Sequence, residues 1–156
     1  MKDGETRIGH TGIAYLWNVM DRESRFLIAS KLSEKRYING AIQAFNEAIK
    51  NSHNSKPDVV YTDALRACRE GVKTLGDKVE HVSKCGVNKP HANNNRVERL
   101  NGTLRERVKV QRGWKSSKSA IAEGQRIYYN FVKPHQALEG KTPSDAVGIK
   151  VEAKNK

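Results

Sequence analysis

The stretch 13-IAYLWNVMDRESRFLIASKL-32 joins two apolar runs through the polar tetrapeptide Asp21-Arg22-Glu23-Ser24. Two runs rich in β-branched and aromatic residues, separated by a short polar segment, are typical of a β-hairpin. Residues 37–49 follow with apolar side chains at helical spacing, which predicts an amphipathic helix. The pattern therefore predicts that the fold begins with a β-hairpin covered by a helix.

Further strands and helices are predicted downstream of this unit. The expected elements are a strand at 58–63, a weaker helix at 64–75, a strand at 78–83, and helices at 95–110 and 117–131. A Gly/Pro/Asn-containing loop occupies 84–92, and the tail from residue 139 is expected to be loop with one short turn. Strands that alternate with helices indicate an α/β fold, in which a mixed sheet is flanked by helices.

The charge of the chain favours a polyanionic partner. Its 156 residues suit a single domain, and 29 Lys and Arg against 17 Asp and Glu give a net charge of +12. Nucleic acid is the partner that such a balance indicates first. An anionic membrane surface is the weaker alternative, because helix 37–49 has few cations on its polar face. No segment is typical of a secretory signal or a membrane span, so we expect a cytoplasmic, nucleoid-associated protein with no membrane partner.

The two cysteines allow more than one interpretation. Cys68 and Cys85 form no CxxC pattern, which favours reduced thiols but leaves a disulfide open. A zinc site formed by Cys85, His81 and His91 is conceivable, although the spacing matches no familiar ligand pattern.

The helix predicted from Asn95 is strongly basic. The density of its cations, together with the charge of the whole chain, predicts contacts with nucleic-acid phosphates, which depend strongly on salt. The alternative is an ordinary solvated face. The candidate DNA-binding residues are Arg96, Arg99, Arg105, Arg107, Lys109 and Arg112.

Three acidic residues are candidates for holding metal ions. Asp63 ends an apolar strand, Glu98 lies in the first turn of the basic helix 35 positions later, and Asp3 precedes the hairpin. A carboxylate cluster of this kind suits Mg²⁺ or Mn²⁺, and two such ions can assist phosphoryl displacement. Simpler roles are also open: Asp63 can begin a turn, and Glu98 can complete an N-terminal capping box with Asn95.

Four segments resemble the DDE transposases of prokaryotic insertion sequences. Residues 94-NNRVERLNGTLRER-107 are similar to the helix that carries the family's third acid, and 59-VVYTD-63 to its second-acid strand. Residues 15–36 resemble the family's first hairpin. Residues 128-YYNFVKPHQALEGKTPSDAVGI-149 resemble its C-terminal signature.

This resemblance implies an RNase H-like fold and a two-metal reaction. DNA 3′ ends would be cleaved and transferred into target DNA, with two Mg²⁺ or Mn²⁺ ions held by Asp3, Asp63 and Glu98. The implied partners are the transposon ends, the target duplex and further copies of the chain. We expect residues 1–149 to form the integrase-type catalytic core and 150–156 to form a basic tail.

The chain departs from the family pattern at the first acid. Gly4 stands where a glutamate is expected, and few residues precede Asp3, so the sequence predicts a shortened core whose first strand is incomplete. Asp21 is the alternative first acid. Two alternative functions remain open. One is a truncated DNA-binding remnant without activity, and the other is a nuclease of the same fold that acts on RNA–DNA hybrids.

Overall fold

The structure is a computed structural model that describes residues 5–8, 12–83, 95–111 and 119–149. Strands β1 (Glu5–Ile8), β2 (Gly12–Met20) and β3 (Leu27–Ser33) form an antiparallel sheet in that order. Strands β4 (Val59–Tyr61) and β5 (Glu80–Val82) pair in parallel. The helices are α1 (Ile38–Asn51), α2 (Arg66–Lys73), α3 (Asn95–Val110), α4 (Ile121–Phe131) and the short α5 (Pro143–Ala146).

The predicted hairpin is present as β2 and β3. The pairing runs from Tyr15 opposite Ser33 to Met20 opposite Leu27, with an irregularity between Val19 and Met20. Asp21 closes the turn, because its Oδ2 accepts hydrogen bonds from the backbone N of Ser24 at 2.8 Å and from the Ser24 hydroxyl at 2.6 Å. An aspartate that accepts bonds from the next few residues stabilises a tight turn without help from the rest of the fold.

Strand β2 separates two apolar cores. Side chains of a strand alternate between the two faces of the sheet. Trp17 and Val19 pack with the core of α1 and α2, which includes Phe45, whereas Leu16 and Met20 pack against α3 and α4. The hairpin therefore lies between two helical layers, as the α/β interpretation predicted.

The C-terminal segment is fixed by polar contacts. The Asn130 side chain is fully buried; its Oδ1 accepts from the Leu27 backbone N at 2.8 Å, and its Nδ2 donates to the Leu27 carbonyl at 2.9 Å. Farther along, Thr142 and Asp145 form a capping box at the start of α5, with Pro143 in its first turn. The segment that resembles a family signature therefore has a structural role here.

The structure adds to the sequence-based prediction at the N-terminus and directly after α4. Strand β1, paired with β2 from Glu5 opposite Tyr15 to Ile8 opposite Gly12, was not predicted. The described strands form two hydrogen-bonded sets. A 3₁₀ turn at Gln136–Leu138 was not predicted either, whereas α5 is the one short turn that was expected in the tail from residue 139. Residues 150–156 and Cys85 lie outside the described residues, and no helix in the described part is long and apolar enough to span a membrane.

Candidate active site

A cavity of about 490 Å³ lies between β2, α1, β4 and the first turn of α3. Its lining includes the consecutive residues 15–22 along β2 and 59–63 along β4. Because neighbouring side chains of a strand point to opposite faces, consecutive lining residues place the cavity along the edges of both strands. Asp63 and Glu98 line this same cavity.

Asp63 is positioned by the end of β4 and the turn that follows it. The backbone N of Thr62 donates to the Val82 carbonyl at 3.1 Å, which continues the pairing with β5 for one residue. The Asp63 Oδ1 then accepts from the backbone N of Leu65 at 3.2 Å, just before α2. Asp63 therefore begins a turn, as one interpretation predicted, and also lies at the cavity.

Two further side chains contact the Asp63 carboxylate. Arg36 approaches Oδ2 with one guanidinium nitrogen at 3.5 Å, in a pair whose two side chains are both partly exposed. The Cys68 thiol is also hydrogen-bonded to Asp63. Burial raises the pKa of Cys68 to about 12, the charge and hydrogen bond of Asp63 add to the rise, and Arg36 opposes it. Cys68 is thus a protonated thiol at neutral pH.

The residue before Asp63 is also held from the side of β5. The buried Thr62 hydroxyl donates to the Asp63 carbonyl at 2.7 Å and lies 2.9 Å from Nε2 of His81. Burial lowers the pKa of His81, and the charge of Arg69 lowers it further. Within the described structure, His81 therefore supports Thr62.

The zinc site that the sequence allowed stays a prediction, because Cys85 and His91 lie outside the described residues.

Glu98 lies on the exposed side of the first turn of α3. The helix is anchored by buried Leu100 and Leu104 on its other side. One turn after Glu98, the Asn101 Oδ1 accepts from Nδ2 of Asn18 on β2 at 2.7 Å. This link fixes the start of α3 against the hairpin.

The capping box that the sequence allowed between Asn95 and Glu98 does not match the observed start of the helix. Helix α3 begins at Asn95, so Asn95 is its first helical residue and Glu98 its fourth, whereas a capping box needs the acid at the third position.

The basic residues of α3 do not share one environment. Arg96 and Arg99 are exposed, and Arg96 also lines the cavity. The Arg107 guanidinium lies 4.4 Å from the Tyr128 ring centroid, and Lys109 pairs with Glu106 at 2.7 Å. Arg105 is half-buried, and Arg112 lies outside the described residues. The end of α3 near Glu98 therefore presents two exposed cations, one of which lines the cavity.

The structure describes only one of the two candidates for the first acid. Asp21 lines the cavity, but its carboxylate is used by the hairpin turn. Asp3 lies outside the described residues. Within the described part of the chain, no group of three or more His, Cys, Asp or Glu residues is placed to hold a metal ion. The carboxylates of Asp63 and Glu98 nevertheless offer oxygen atoms at this cavity, which is the donor chemistry that Mg²⁺ and Mn²⁺ require.

Sequence reasoning missed several residues that shape this site. Arg36 reaches Asp63 from a segment 27 residues earlier, and Asn18 reaches Asn101 across 83 positions. Neither pair has a local sequence signal, because both depend on how separate elements pack. The Arg22 guanidinium lies 4.6 Å from the Tyr61 ring centroid, and this cation–π contact also joins two separate elements without a local sequence signal.

A comparison with family models gives the same assignment as the resemblance. Residues 8–133 match the model described as DDE domain, of the IS240 transposase group. The chain belongs to the DDE transposase/integrase catalytic-domain family. Members of this DDE family generally use divalent metal ions. The match excludes Asp3 but includes Asp63 and Glu98.

Solved structures show the fold. A chain in the cryo-EM structure of the simian T-cell lymphotropic virus intasome in complex with PP2A regulatory subunit B56 gamma is similar, with a TM-score of 0.66 and 16% sequence identity. The similarity covers 90% of this DDE-domain chain and 50% of that chain, so the present chain spans about half the length of its structural relative. The fold is of the RNase H-like, integrase-core type. No curated protein matches.

Proposed function

We propose that this DDE domain is the catalytic core of an insertion-sequence transposase, which cleaves DNA 3′ ends and transfers them into target DNA. The observation that carries the proposal is that Asp63 and Glu98, which are 35 positions apart in sequence, line one cavity. One residue comes from the end of β4 and the other from the first turn of α3. Membership in the DDE family supports a catalytic role for this pair of carboxylates.

The proposed cofactors are two Mg²⁺ or Mn²⁺ ions. Asp63 and Glu98 would hold them together with Asp3, which we keep as the proposed first acid. The side chain of Asp63 is 44% exposed, so its oxygens are accessible to a hydrated ion. When bound, such ions activate the attacking oxygen and stabilise the charge that develops on the leaving oxygen.

The surrounding residues would bind and orient the DNA backbone. Arg96 and Arg99, both exposed near Glu98, are suited to contacts with phosphate oxygens. The Asn18–Asn101 hydrogen bond keeps the start of α3 in place against the hairpin. A fixed position for the start of α3, which carries Glu98, matters because small displacements of catalytic groups reduce rates strongly.

Strand transfer also implies an assembly. Two transposon ends must be held together with the target duplex, so we propose that the active species contains more than one copy of the chain. Within this proposal the protein works in the cytoplasm on nucleoid DNA.

The test is nicking of supercoiled plasmid in the presence of Mn²⁺ or Mg²⁺. We expect wild-type nicking that a chelator abolishes, and loss of activity on the order of 10²-fold or more in Asp63→Asn and Glu98→Gln. Asp77→Asn is the matched control, because this exposed carboxylate precedes β5 at the amino ends of the parallel strands, opposite the candidate site. Circular dichroism of each variant verifies that it is folded.

Different results select between the candidate functions. Asp3→Asn and Asp21→Asn, assayed in parallel, identify the first acid by loss of nicking. A folded wild type that binds duplex DNA without nicking it would make the chain a non-catalytic remnant. Preferential cleavage of RNA–DNA hybrids would indicate the related nuclease.

A further inference from the structure

Glycines inside helices need an explanation, because glycine destabilises a helix interior relative to alanine. Four glycines lie within the described helices: Gly40, Gly71, Gly102 and Gly124. Packing explains the first two. A Cβ on Gly40 would lie 2.7 Å from Trp17 Nε1, and a Cβ on Gly71 would lie 3.0 Å from Phe45.

Packing does not explain Gly102 or Gly124. A Cβ at either position would meet no atom of the described chain within 4 Å. Neither helix therefore needs glycine for its contacts with the other described elements. Space that the fold leaves open at a helix surface is available to a ligand.

Of these two glycines, only Gly102 has arginines among its helix neighbours, and arginine suits contact with a phosphodiester backbone. On a helix surface, residues three and four positions apart are neighbours. Gly102 is therefore next to Glu98 and Arg99 on one side and to Arg105 and Glu106 on the other. Asn101, the residue before it, is the one that is bonded to β2. Gly102 is thus on the anchored part of α3, one turn beyond the candidate catalytic glutamate.

We propose that the sugar–phosphate backbone of bound DNA packs directly against the main chain of α3 at Gly102. This inference rests on the proposed function, since it assumes that DNA reaches Glu98. The missing side chain lets the DNA approach the helix more closely, by about the width of a methyl group, so that a phosphate near Glu98 is also within reach of Arg99 and Arg105. A side chain at position 102 would hold the DNA away from all three.

Gly124 supplies a matched control. It also lies in a helix with open space around the Cβ position, but its helix neighbours are the exposed apolar residues Ile121, Ile127 and Tyr128. Substitution of either glycine by alanine should stabilise its helix similarly. We expect both variants to melt about 2–4 °C higher than the wild type.

The experiment measures binding of a fluorescein-labelled DNA duplex of mixed sequence, by anisotropy at low salt, and plasmid nicking with Mn²⁺. Gly102→Ala should weaken binding by about three- to tenfold, and Gly102→Gln by about tenfold or more, as expected for the loss of one or more charge-assisted phosphate contacts. Nicking should fall in parallel. Gly124→Ala and Gly124→Gln should leave both measurements unchanged.

The outcomes separate this inference from the proposed function. If the wild type binds and nicks DNA and the Gly102 variants do so equally well, close approach at Gly102 is wrong and the proposed function stands. If the wild type neither binds nor nicks DNA, the proposed function itself fails. If Gly102→Ala lowers the melting temperature while Gly124→Ala raises it, the fold itself requires Gly102, and the inference is overturned.

Discussion

The carboxylate of Asp63 has three neighbours with different chemistry. Its Oδ1 accepts from the Leu65 backbone, its Oδ2 faces Arg36, and the Cys68 thiol is hydrogen-bonded to it. The backbone contact fixes the direction of the side chain, and Arg36 balances its charge. If the proposed metal site is correct, the aspartate is oriented before a cation binds, which reduces the cost of forming that site.

The reactivity of Cys68 reports on this arrangement. The rise of its pKa from 9.0 to about 12 lowers the thiolate fraction at pH 8 by a factor on the order of 10² to 10³. In a Cys85→Ser background, iodoacetamide should therefore modify Cys68 far more slowly in the native protein than in urea. Asp63→Asn removes a charge that raises this pKa, so native alkylation should become faster.

Mass spectrometry of the alkylated protein over time gives both rates. Equal alkylation rates in native and unfolded protein would contradict a Cys68 thiol whose pKa is raised by burial and by Asp63. An Asp63→Asn variant that reacts no faster than its parent would show that burial alone protects Cys68.

Arg36 should compete with metal ions for Asp63. The pair is partly exposed, so its interaction is worth only about 0.2–1 kcal/mol. If the proposed metal site is correct, Arg36→Gln should lower the Mn²⁺ concentration that gives half-maximal nicking by up to about fivefold. Lys50→Gln, at the opposite end of α1, is the charge-matched control and should have no effect. A higher Mn²⁺ requirement in Arg36→Gln would mean that Arg36 assists the site instead.

At the scale of elements, contact between α1 and β2 depends on Gly40. A Cβ there would lie 2.7 Å from Trp17 Nε1, which donates to the Ser33 hydroxyl at 2.8 Å. Gly40→Ala should therefore destabilise the protein by about 1–3 kcal/mol despite alanine's helix propensity. Urea unfolding followed by tryptophan fluorescence measures this difference. A gain in stability, as expected for Gly124→Ala, would show that α1 shifts at little cost.

The link between α4 and β3 depends on Asn130. Its side chain satisfies both the N and the O of Leu27, and truncation would leave two buried backbone groups without partners in the described structure. We expect Asn130→Ala to cost about 2–4 kcal/mol in the free energy of unfolding. Asn46→Ala, at an exposed position of α1, should cost less than about 0.5 kcal/mol. Chemical denaturation of both variants tests the prediction, and equal losses would contradict it.

Elements with strong periodicity were predictable, and contacts between elements were not. Helix α3 has the bounds that its apolar stripe of Leu100, Leu104 and Val108 predicted, and the hairpin followed from its apolar runs. Strand β1 was missed because its four residues, ETRI, carry no clear pattern. The sequence indicated Asp63 and Glu98 as candidates, but their meeting at one cavity depends on how β4 and α3 are arranged around β2. The contact of Arg36 with Asp63 likewise depends on how separate segments pack.

At the scale of the whole molecule, the net charge of +12 attracts DNA from every side, but α3 should determine how the DNA is held. Each phosphate contact steepens the decrease of log K with log salt by about 0.9. The double variant Arg96→Gln/Arg99→Gln should therefore make the slope of log K against log salt shallower by about 1.8 and weaken binding at low salt. Anisotropy titrations with labelled duplex at several KCl concentrations measure the slope.

A second double variant separates local contact from overall charge. Lys50→Gln/Lys78→Gln makes the same change in net charge, from +12 to +10 by loss of two cations. Lys78 precedes β5 and Lys50 lies in the last turn of α1, which leads to the start of β4. Because β4 and β5 are parallel, both lysines belong to the edge opposite Asp63. This variant should keep the wild-type slope. Equal changes in the two double variants would mean that DNA is bound by the general field of the protein, with no preferred contact at the start of α3.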